Sequence, residues 1–222
     1  MDPEDPTRSL MAQPEAMAAM EWIRDRMWED RTMATSLDVQ NLETRQAFIQ
    51  QRIAMVEDGS WALKDILDGA IFRVGVTTFP SGPARKVTLA TTDGFGIYAG
   101  TKHPEAAWEL LKTLVGKDYR RAMARSHLLQ PARASLVGEW IDIVREEYPT
   151  QTTGMDLQSF AEGHLQGYSV TAEIFANMED ARRIAKAAWE RIFTLGQAPV
   201  ELMKRVSGDI QQMQPTSGQE AT

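Results

Sequence analysis

A short apolar run that ends in turn residues and a large aromatic ring does most to constrain how this chain folds. The run, residues 53–56 (IAMV), is too short for an independent helix, and Glu57, Asp58 and Gly59 follow it directly. The pattern predicts a buried strand that opens onto a loop and delivers Trp61 to that loop. An indole ring on a loop can form part of a binding surface, whereas an indole buried among aliphatic side chains fills a core.

Helical patterns occupy most of the remaining sequence, and strand patterns are few. Met17, Met20, Ile23 and Met27 recur at helical spacing and predict an amphipathic helix whose methionine stripe faces a core. The predicted helices span 14–33, 39–51, 101–116, 118–127, 136–147, 155–165, 170–194 and 199–213, and the other predicted strands span 74–79, 87–91 and 94–98. Residues 215–222 are predicted to be a flexible tail. We therefore expect a helix-rich α/β fold.

Charge and composition exclude several functions. The 222 residues carry a formal net charge of -7, and Lys and Arg are scattered along the chain, which argues against a nucleic-acid partner. The absence of cysteine excludes disulfides and thiolate metal sites. No apolar stretch reaches about 20 residues, so no transmembrane segment is expected. The N-terminus as given has neither a basic n-region nor an apolar h-region, so no signal peptide is expected in this stretch.

Patterns typical of catalysis or of a bound cofactor do not occur. His103, His127 and His164 are isolated and do not stand in a metal-ligand spacing. The sequence contains neither GxSxG nor GxxxxGK[ST]. We therefore expect no catalytic residue, no metal, no cofactor and no enzyme activity, although carboxylates distant in sequence could converge in space as in a glycosidase.

Five segments occur in an order that is typical of one family. They are QRIAMVEDGSWAL (51–63), VGVTTFPSGP (74–83), TTDGFGIYAGTKHPEAAWELLKTLVG (91–116), LLQPARASL (128–136) and LGQAPVELMKRV (195–206). In this order the chain resembles the second half of a bacterial extracellular solute-binding protein (sugar-binding type, family 1), the receptor of ABC importers. The resemblance implies a periplasmic-binding-protein type II-like fold, mainly the C-terminal lobe with an incomplete part of the N-terminal lobe.

The resemblance also implies a domain organisation. Residues 1–88 and 134–214 would form the C-terminal lobe, and 89–133 would hold the hinge crossing and a fragment of the N-terminal lobe. Members of the family are typically longer, so we expect a truncated chain that binds its solute weakly or not at all by itself. Without the rest of the first lobe, residues 95–98 and the apolar face of the following helix are expected to be exposed.

Candidate ligand-binding residues follow from the resemblance and from sugar chemistry. Sugars offer hydroxyl groups and apolar C–H faces, so Trp61 can supply an aromatic platform. Thr92, Asp93 and Gly94 stand where the family often has a Gly-Gly pair whose backbone approaches the ligand. Asp93 replaces the first glycine, which puts backbone contact there in doubt, yet a carboxylate can accept two sugar hydroxyls. A tight turn or bulge is the alternative role of this segment.

Four more residues complete the predicted binding site, each with a structural alternative. Arg133 lies at the second presumed hinge crossing, but an arginine after a Pro-Ala pair is often a surface or ion-paired residue. Tyr168 precedes the predicted long helix, where a capping or packing role is equally suitable. Glu173 and Asn177 are one turn apart on that helix and could present polar groups to a ligand or to solvent.

Two functions of different classes follow. As a receptor, the chain would bind a sugar or polyol, act with an ABC transporter permease in the full-length protein, and be periplasmic or extracellular and membrane-anchored. Unmatched lobe surface would permit self-association. The alternative is a helical protein–protein interaction module without a small-molecule ligand. Burial of Trp61 among aliphatic side chains would favour that alternative.

Overall fold

The computed structural model describes residue 5 and residues 7–91, 93–171 and 177–214. These residues form two compact units, the first containing 7–43 and 177–214 and the second containing 44–171. The lobe boundaries implied by the resemblance concern a longer protein, and they remain a prediction.

Within these ranges the chain forms helices and two short strands. In chain order they are α1 (Pro14–Trp28), α2 (Thr44–Ile49), α3 (Leu63–Gly69), β1 (Thr88–Ala90), α4 (Pro104–Leu114), α5 (Lys117–His127), α6 (Val137–Glu147), α7 (Ser159–Gln166), β2 (Ser169–Thr171), α8 (Met178–Trp189) and α9 (Leu202–Met213). Single 3-10 turns occupy Ser60–Ala62 and Ala134–Leu136, and a π-helical turn at Glu190–Thr194 continues α8.

The first unit packs α1, α8 and α9 around one core. Its buried side chains include Met17, Met20, Ala181, Ile192, Phe193, Met203, Val206 and Ile210. The predicted methionine stripe of α1 therefore does face a core. The helix ends at Trp28, earlier than predicted, because Arg31 has a positive φ of 59° and the Asp30 carboxylate accepts the Thr32 backbone N–H at 3.1 Å.

A π-helical turn fixes the connection between α8 and α9. The Leu195 N–H donates to the Glu190 carbonyl at 2.9 Å, and the Trp28 indole donates to the Phe193 carbonyl at 3.0 Å. Gly196 then reverses the chain with φ of 63°, and a Cβ at this position would lie 2.6 Å from the Trp28 ring. Both the conformation and the close approach therefore require glycine.

Two glycines of the first unit allow a matched test of this packing. Gly196→Ala is expected to lower the free energy of unfolding by about 1–3 kcal/mol, because it adds left-handed strain and displaces Trp28. Gly208→Ala, on an exposed face of α9 with no heavy atom within 4 Å of the new Cβ, is expected to raise it by up to about 1 kcal/mol. Urea denaturation of both variants measures the difference, and equal effects would contradict the assigned role of Gly196.

The second unit is built around a buried tryptophan. Trp140 on α6 is 1% exposed, and its indole N–H donates to the Leu128 carbonyl at 2.9 Å. Leu128 ends α5 in a left-handed conformation. The ring meets Phe160 of α7 edge to face, with ring centroids 6.1 Å apart. The same core contains Leu63, Leu67, Ala124, Val137, Val144, Met155, Leu157 and Ala161.

The sheet is smaller than the sequence predicts. β1 and β2 are parallel, with Thr88 opposite Ser169 and Ala90 opposite Thr171. The predicted strand 87–91 is therefore confirmed at its centre, whereas 53–56, 74–79 and 94–98 are wrong, since none of them has a strand partner among the described residues. Some of their apolar residues still pack: Val74 and Val76 lie against the helical cores, and Ile53 and Val56 are half-buried, whereas Met55 is 86% exposed.

Several helix boundaries also differ from the predictions. The predicted bounds of α5 and α6 are correct within about two residues. The bounds of α4 agree equally well at its C-terminal end, but the helix begins three residues later than predicted. α2 begins at Thr44 instead of 39, after positive φ angles at Gln40 and Asn41. The predicted helix 170–194 is wrong at its start, because β2 ends at Thr171 and α8 begins only at Met178, after Asn177 at a φ of 53°.

One apolar surface remains uncovered, as expected. Phe95, Ile97 and Tyr98 are all exposed, and α4 has no buried residue, with Leu110 60% exposed. We call these four residues the α4 face. No complete sheet covers the α4 face within the described part of the chain. The expected exposure is confirmed for residues 95–98 and for Leu110, whereas Ala107, Leu111 and Leu114 of the same helix are half-buried.

Candidate functional site

The Trp61 ring stands on a tight turn and not at the end of a strand. It belongs to the 3-10 turn Ser60–Ala62, which leads directly into α3, and the following Ala62 and Leu63 are buried. The indole itself is 51% exposed. A Cβ at Gly59 would lie 2.2 Å from the ring, so the indole lies over the glycine backbone. Trp61 is therefore a surface aromatic with a fixed support, and it does not fill a core.

Arg45 ties this turn to its flanking residues through two ion pairs. Its guanidinium contacts Asp58 at 2.9 Å and Asp65 at 2.6 Å, while Asp58 also accepts the Gly59 N–H at 2.8 Å. The hydrogen bond with Asp58 is the main reason that the pKa of Arg45 is raised, and that with Asp65 adds to it. The two carboxylates flank the turn on both sides in sequence. The platform is consequently held by charge-assisted bonds as well as by buried apolar neighbours.

The segment after β1 is open to solvent. Asp93 and Gly94 lie just beyond the C-terminal end of that strand, and both are exposed. A Cβ at Gly94 would meet no heavy atom within 4 Å, so packing against the protein does not require a glycine there. The predicted ligand residue Thr92 lies outside the described residues. The free space beside Gly94 is compatible with the approach of a ligand.

Tyr168 lies at the opposite end of the same two strands. Its carbonyl accepts the Thr88 N–H at 3.3 Å, immediately before β2 begins. The Lys86 ammonium stands 4.6 Å from the centre of its ring, and Lys86 pairs with Glu162 of α7 at 2.7 Å. The Tyr168 hydroxyl is buried beside this pair but makes no hydrogen bond of regular geometry.

The remaining predicted site residues have other surroundings. Arg133 is exposed just before the turn Ala134–Leu136, and it forms no ion pair with any described residue. Asn177 belongs to the first unit, where its side-chain amide donates to the Met213 carbonyl at 3.1 Å. Glu173 lies outside the described residues.

The structure links only some of the predicted site residues. Parallel pairing connects the Asp93–Gly94 segment with Tyr168, but at opposite ends of the sheet. Within the described ranges, no hydrogen bond, ion pair or ring contact joins Trp61 to Asp93, Arg133 or Tyr168. Sequence reasoning missed two supporting groups, Arg45 and the Lys86–Glu162 pair. Asp58 and Asp65 lie 13 and 20 residues after Arg45, and Glu162 lies 76 residues after Lys86. Local sequence patterns therefore gave no signal of these contacts.

Two further properties bear on chemistry and location. In the described part of the chain, no group of three or more His, Asp or Glu side chains could hold a metal ion. Over the same residues, no helix combines the length and apolar character needed to cross a bilayer.

The family follows from the sequence. The pattern of the bacterial extracellular solute-binding proteins matches residues 5–121, a little over half of the chain. This chain belongs to that family. The predicted family membership is thus confirmed. No curated protein sequence matches this solute-binding protein at a significant level.

Solved structures give the fold of this solute-binding protein. It is similar to the ABC substrate-binding protein Lmo0181 from Listeria monocytogenes in complex with cycloalternan, with a TM-score of 0.76 and 18% identity over 93% of this chain and 51% of that chain. It is also similar to UspC of M. tuberculosis, with a TM-score of 0.68 and 18% identity over 93% of this chain and 50% of that chain. The fold is that of periplasmic binding proteins, and the chain spans about half the length of both structures.

The Lys86–Glu162 pair makes a pH dependence testable. The pKa of Glu162 is lowered mainly by Lys86, so its contribution to stability is present above the unfolded value of about 4.3 and is lost as pH falls through the folded value. The pKa of Lys86 is raised mainly by Glu162, so that contribution persists up to at least about pH 10. Urea denaturation is expected to show Glu162→Gln less stable than the parent at pH 7, with a smaller difference at about pH 3 as the carboxyl group takes up a proton. If the two proteins differed in the free energy of unfolding by the same amount at both pH values, the stabilising role of the Lys86–Glu162 ion pair would be contradicted.

Proposed function

We propose that this solute-binding protein is part of the receptor of an ABC transporter and binds a carbohydrate or a similar polar solute. The observation that carries the proposal is the half-exposed indole of Trp61 on its rigid turn. An aromatic face held in place contacts the C–H face of a sugar without first losing side-chain freedom. Lmo0181, which has the same fold, was solved with cycloalternan, and this supports the ligand class.

The polar contacts of the proposed site come from the segment after β1. The Asp93 carboxylate can accept two neighbouring hydroxyl groups, and the open space beside Gly94 leaves the backbone accessible to a ligand. Thr92 and Glu173 remain predicted contributors, as does Arg133 with its exposed guanidinium. Asn177 already donates to Met213, which favours a structural role.

The proposed partners follow from family membership and from length. A two-lobed receptor closes on its solute by a hinge motion and then contacts the membrane permease. Such a protein works in the periplasm or at the extracellular face of the membrane. This chain spans about half of the similar structures, so we propose that the working site takes contacts from a second lobe and that the chain by itself binds weakly.

Thermal-shift measurements with a sugar and polyol panel that includes cycloalternan test the proposed ligand class. They are run on this chain and on the product of the reading frame extended upstream. A ligand that binds only the folded state raises the melting temperature. We expect a shift in the extended protein and loss of affinity of at least about tenfold in its Trp61→Ala variant.

Trp22→Ala is the matched control, because Trp22 is a similarly exposed indole in the first unit. It is expected to leave the ligand-induced shift unchanged. The absence of a shift in the extended protein, or an equal loss of affinity in its Trp61→Ala and Trp22→Ala variants, would overturn the proposal.

The α4 face favours a second candidate function, recruitment of a protein. A helix with no buried residue and exposed aromatic neighbours leaves apolar surface that association would cover. We take a second copy of this chain as the partner that covers the face, so the proposal becomes self-association through the α4 face.

Sedimentation velocity over a range of concentrations tests the α4 face. We expect association of the parent chain, and its loss in Leu110→Glu, since a carboxylate is costly to bury in an apolar contact. Leu37→Glu is the control, because Leu37 is 63% exposed and Leu110 is 60% exposed, and it lies in the other unit. A parent chain that stays monomeric at every concentration would exclude self-association through the α4 face.

A further inference from the structure

A group of side chains braces the two-stranded sheet at the end opposite to Asp93. Lys86 precedes β1, Glu162 lies on α7, and Tyr168 precedes β2. The Lys86 ammonium contacts the Glu162 carboxylate at 2.7 Å and lies 4.6 Å from the centre of the Tyr168 ring. We call these three residues the sheet clamp. It ties together the segments that lead into both strands.

A close backbone approach adds to the sheet clamp. A Cβ at Gly163 would lie 2.1 Å from the Thr88 side chain, so α7 contacts β1 at a distance that only glycine permits. The Tyr168 N–H donates to the Gly163 carbonyl at 2.9 Å, after Gly167 turns the chain with φ of 76°. The turn between α7 and β2 is therefore fixed at the same place where the clamp acts.

The short sheet needs such support. Among the described residues, three residue pairs join β1 to β2, and short two-stranded pairings are marginal without packing on neighbouring elements. Asp93 follows Ala90 by three residues, and residues 93–98 belong to no helix or strand. The register of β1 therefore determines where Asp93 and Gly94 lie. A slip by one residue would turn the side chains of β1 to the opposite face and shift the chain that follows it.

We propose that Lys86, Glu162 and Tyr168 are positioning residues, which fix the register of β1 and so place Asp93 and Gly94 for ligand binding. The inference rests on the proposed function and deepens it. It assigns Tyr168 a role through its ring and its backbone carbonyl, with no contact to the ligand. The Tyr168 ring face beside Lys86 is already occupied by the ammonium.

Hydrogen exchange tests the register. Peptides covering 86–91 and 168–171 are followed in the parent chain, in Lys86→Met and in Lys86→Arg. Lys86→Met is expected to speed exchange of the strand amides about fivefold, because local opening becomes easier, and Lys86→Arg is expected to restore slow exchange by keeping the charge over the ring. Unchanged exchange in Lys86→Met would overturn the proposal.

Lys64→Met provides the matched control. Lys64 also pairs with a carboxylate, Asp68 at 2.8 Å, and stands 5.6 Å from the centre of a tyrosine ring, that of Tyr148. It lies in the same unit but outside the sheet. It is expected to leave exchange of the strand peptides unchanged. An equal acceleration in both variants would mean a general loss of stability and would overturn the specific role of the sheet clamp.

Ligand affinity separates positioning from simple support. In the extended protein, Lys86→Met is expected to weaken binding of the sugar identified by thermal shift about fivefold, while Lys86→Arg and Lys64→Met keep it. Faster exchange with unchanged affinity would overturn the positioning role. An extended parent that binds no sugar would overturn the proposed function instead, and the exchange data would still decide whether the clamp holds the pairing of β1 with β2.

Discussion

The hydrogen bond from the buried Trp140 indole to the Leu128 carbonyl is the contact on which the second unit depends. Leu128 ends α5 in a left-handed conformation, and a buried carbonyl without a partner there would be costly. The same core includes Leu63, directly after the turn that carries Trp61, and Ala161 of α7, beside Glu162. The platform and the sheet clamp are thus both anchored in one helical core.

Ion pairs at the surface then fix the position of the elements that pack on this core. Arg45 fixes the turn of Trp61 through two carboxylates, and Lys86 joins α7 to the strands through Glu162. Partly exposed ion pairs contribute little to global stability but constrain local geometry. A binding protein needs this kind of constraint, since ligand groups must be met by side chains that already lie in place.

The sequence predicted helices better than strands, and the reason is physical. α4, α5 and α6 follow from periodicity, a proline at the first turn and glycine near an end, all of which are local. The runs 53–56 and 94–98 have the composition of strands, but a strand exists only when another strand pairs with it. Val74 and Val76 instead pack on helical cores without a strand partner. The sequence did not decide whether Trp61 is exposed or buried, and the 3-10 turn that carries it leaves it half-exposed.

The sequence by itself determined the family, the helix-rich class, the methionine core stripe of α1 and the candidate residues Trp61, Asp93 and Gly94. These depend on composition, spacing and segment order, which lie within short stretches of chain. Only the tertiary structure decided that β1 pairs with β2, that Arg45 and Lys86 support the candidate site, and that Gly163 lies against Thr88. Those contacts join residues far apart in the chain, and no local pattern encodes which distant partner a charge or a glycine meets.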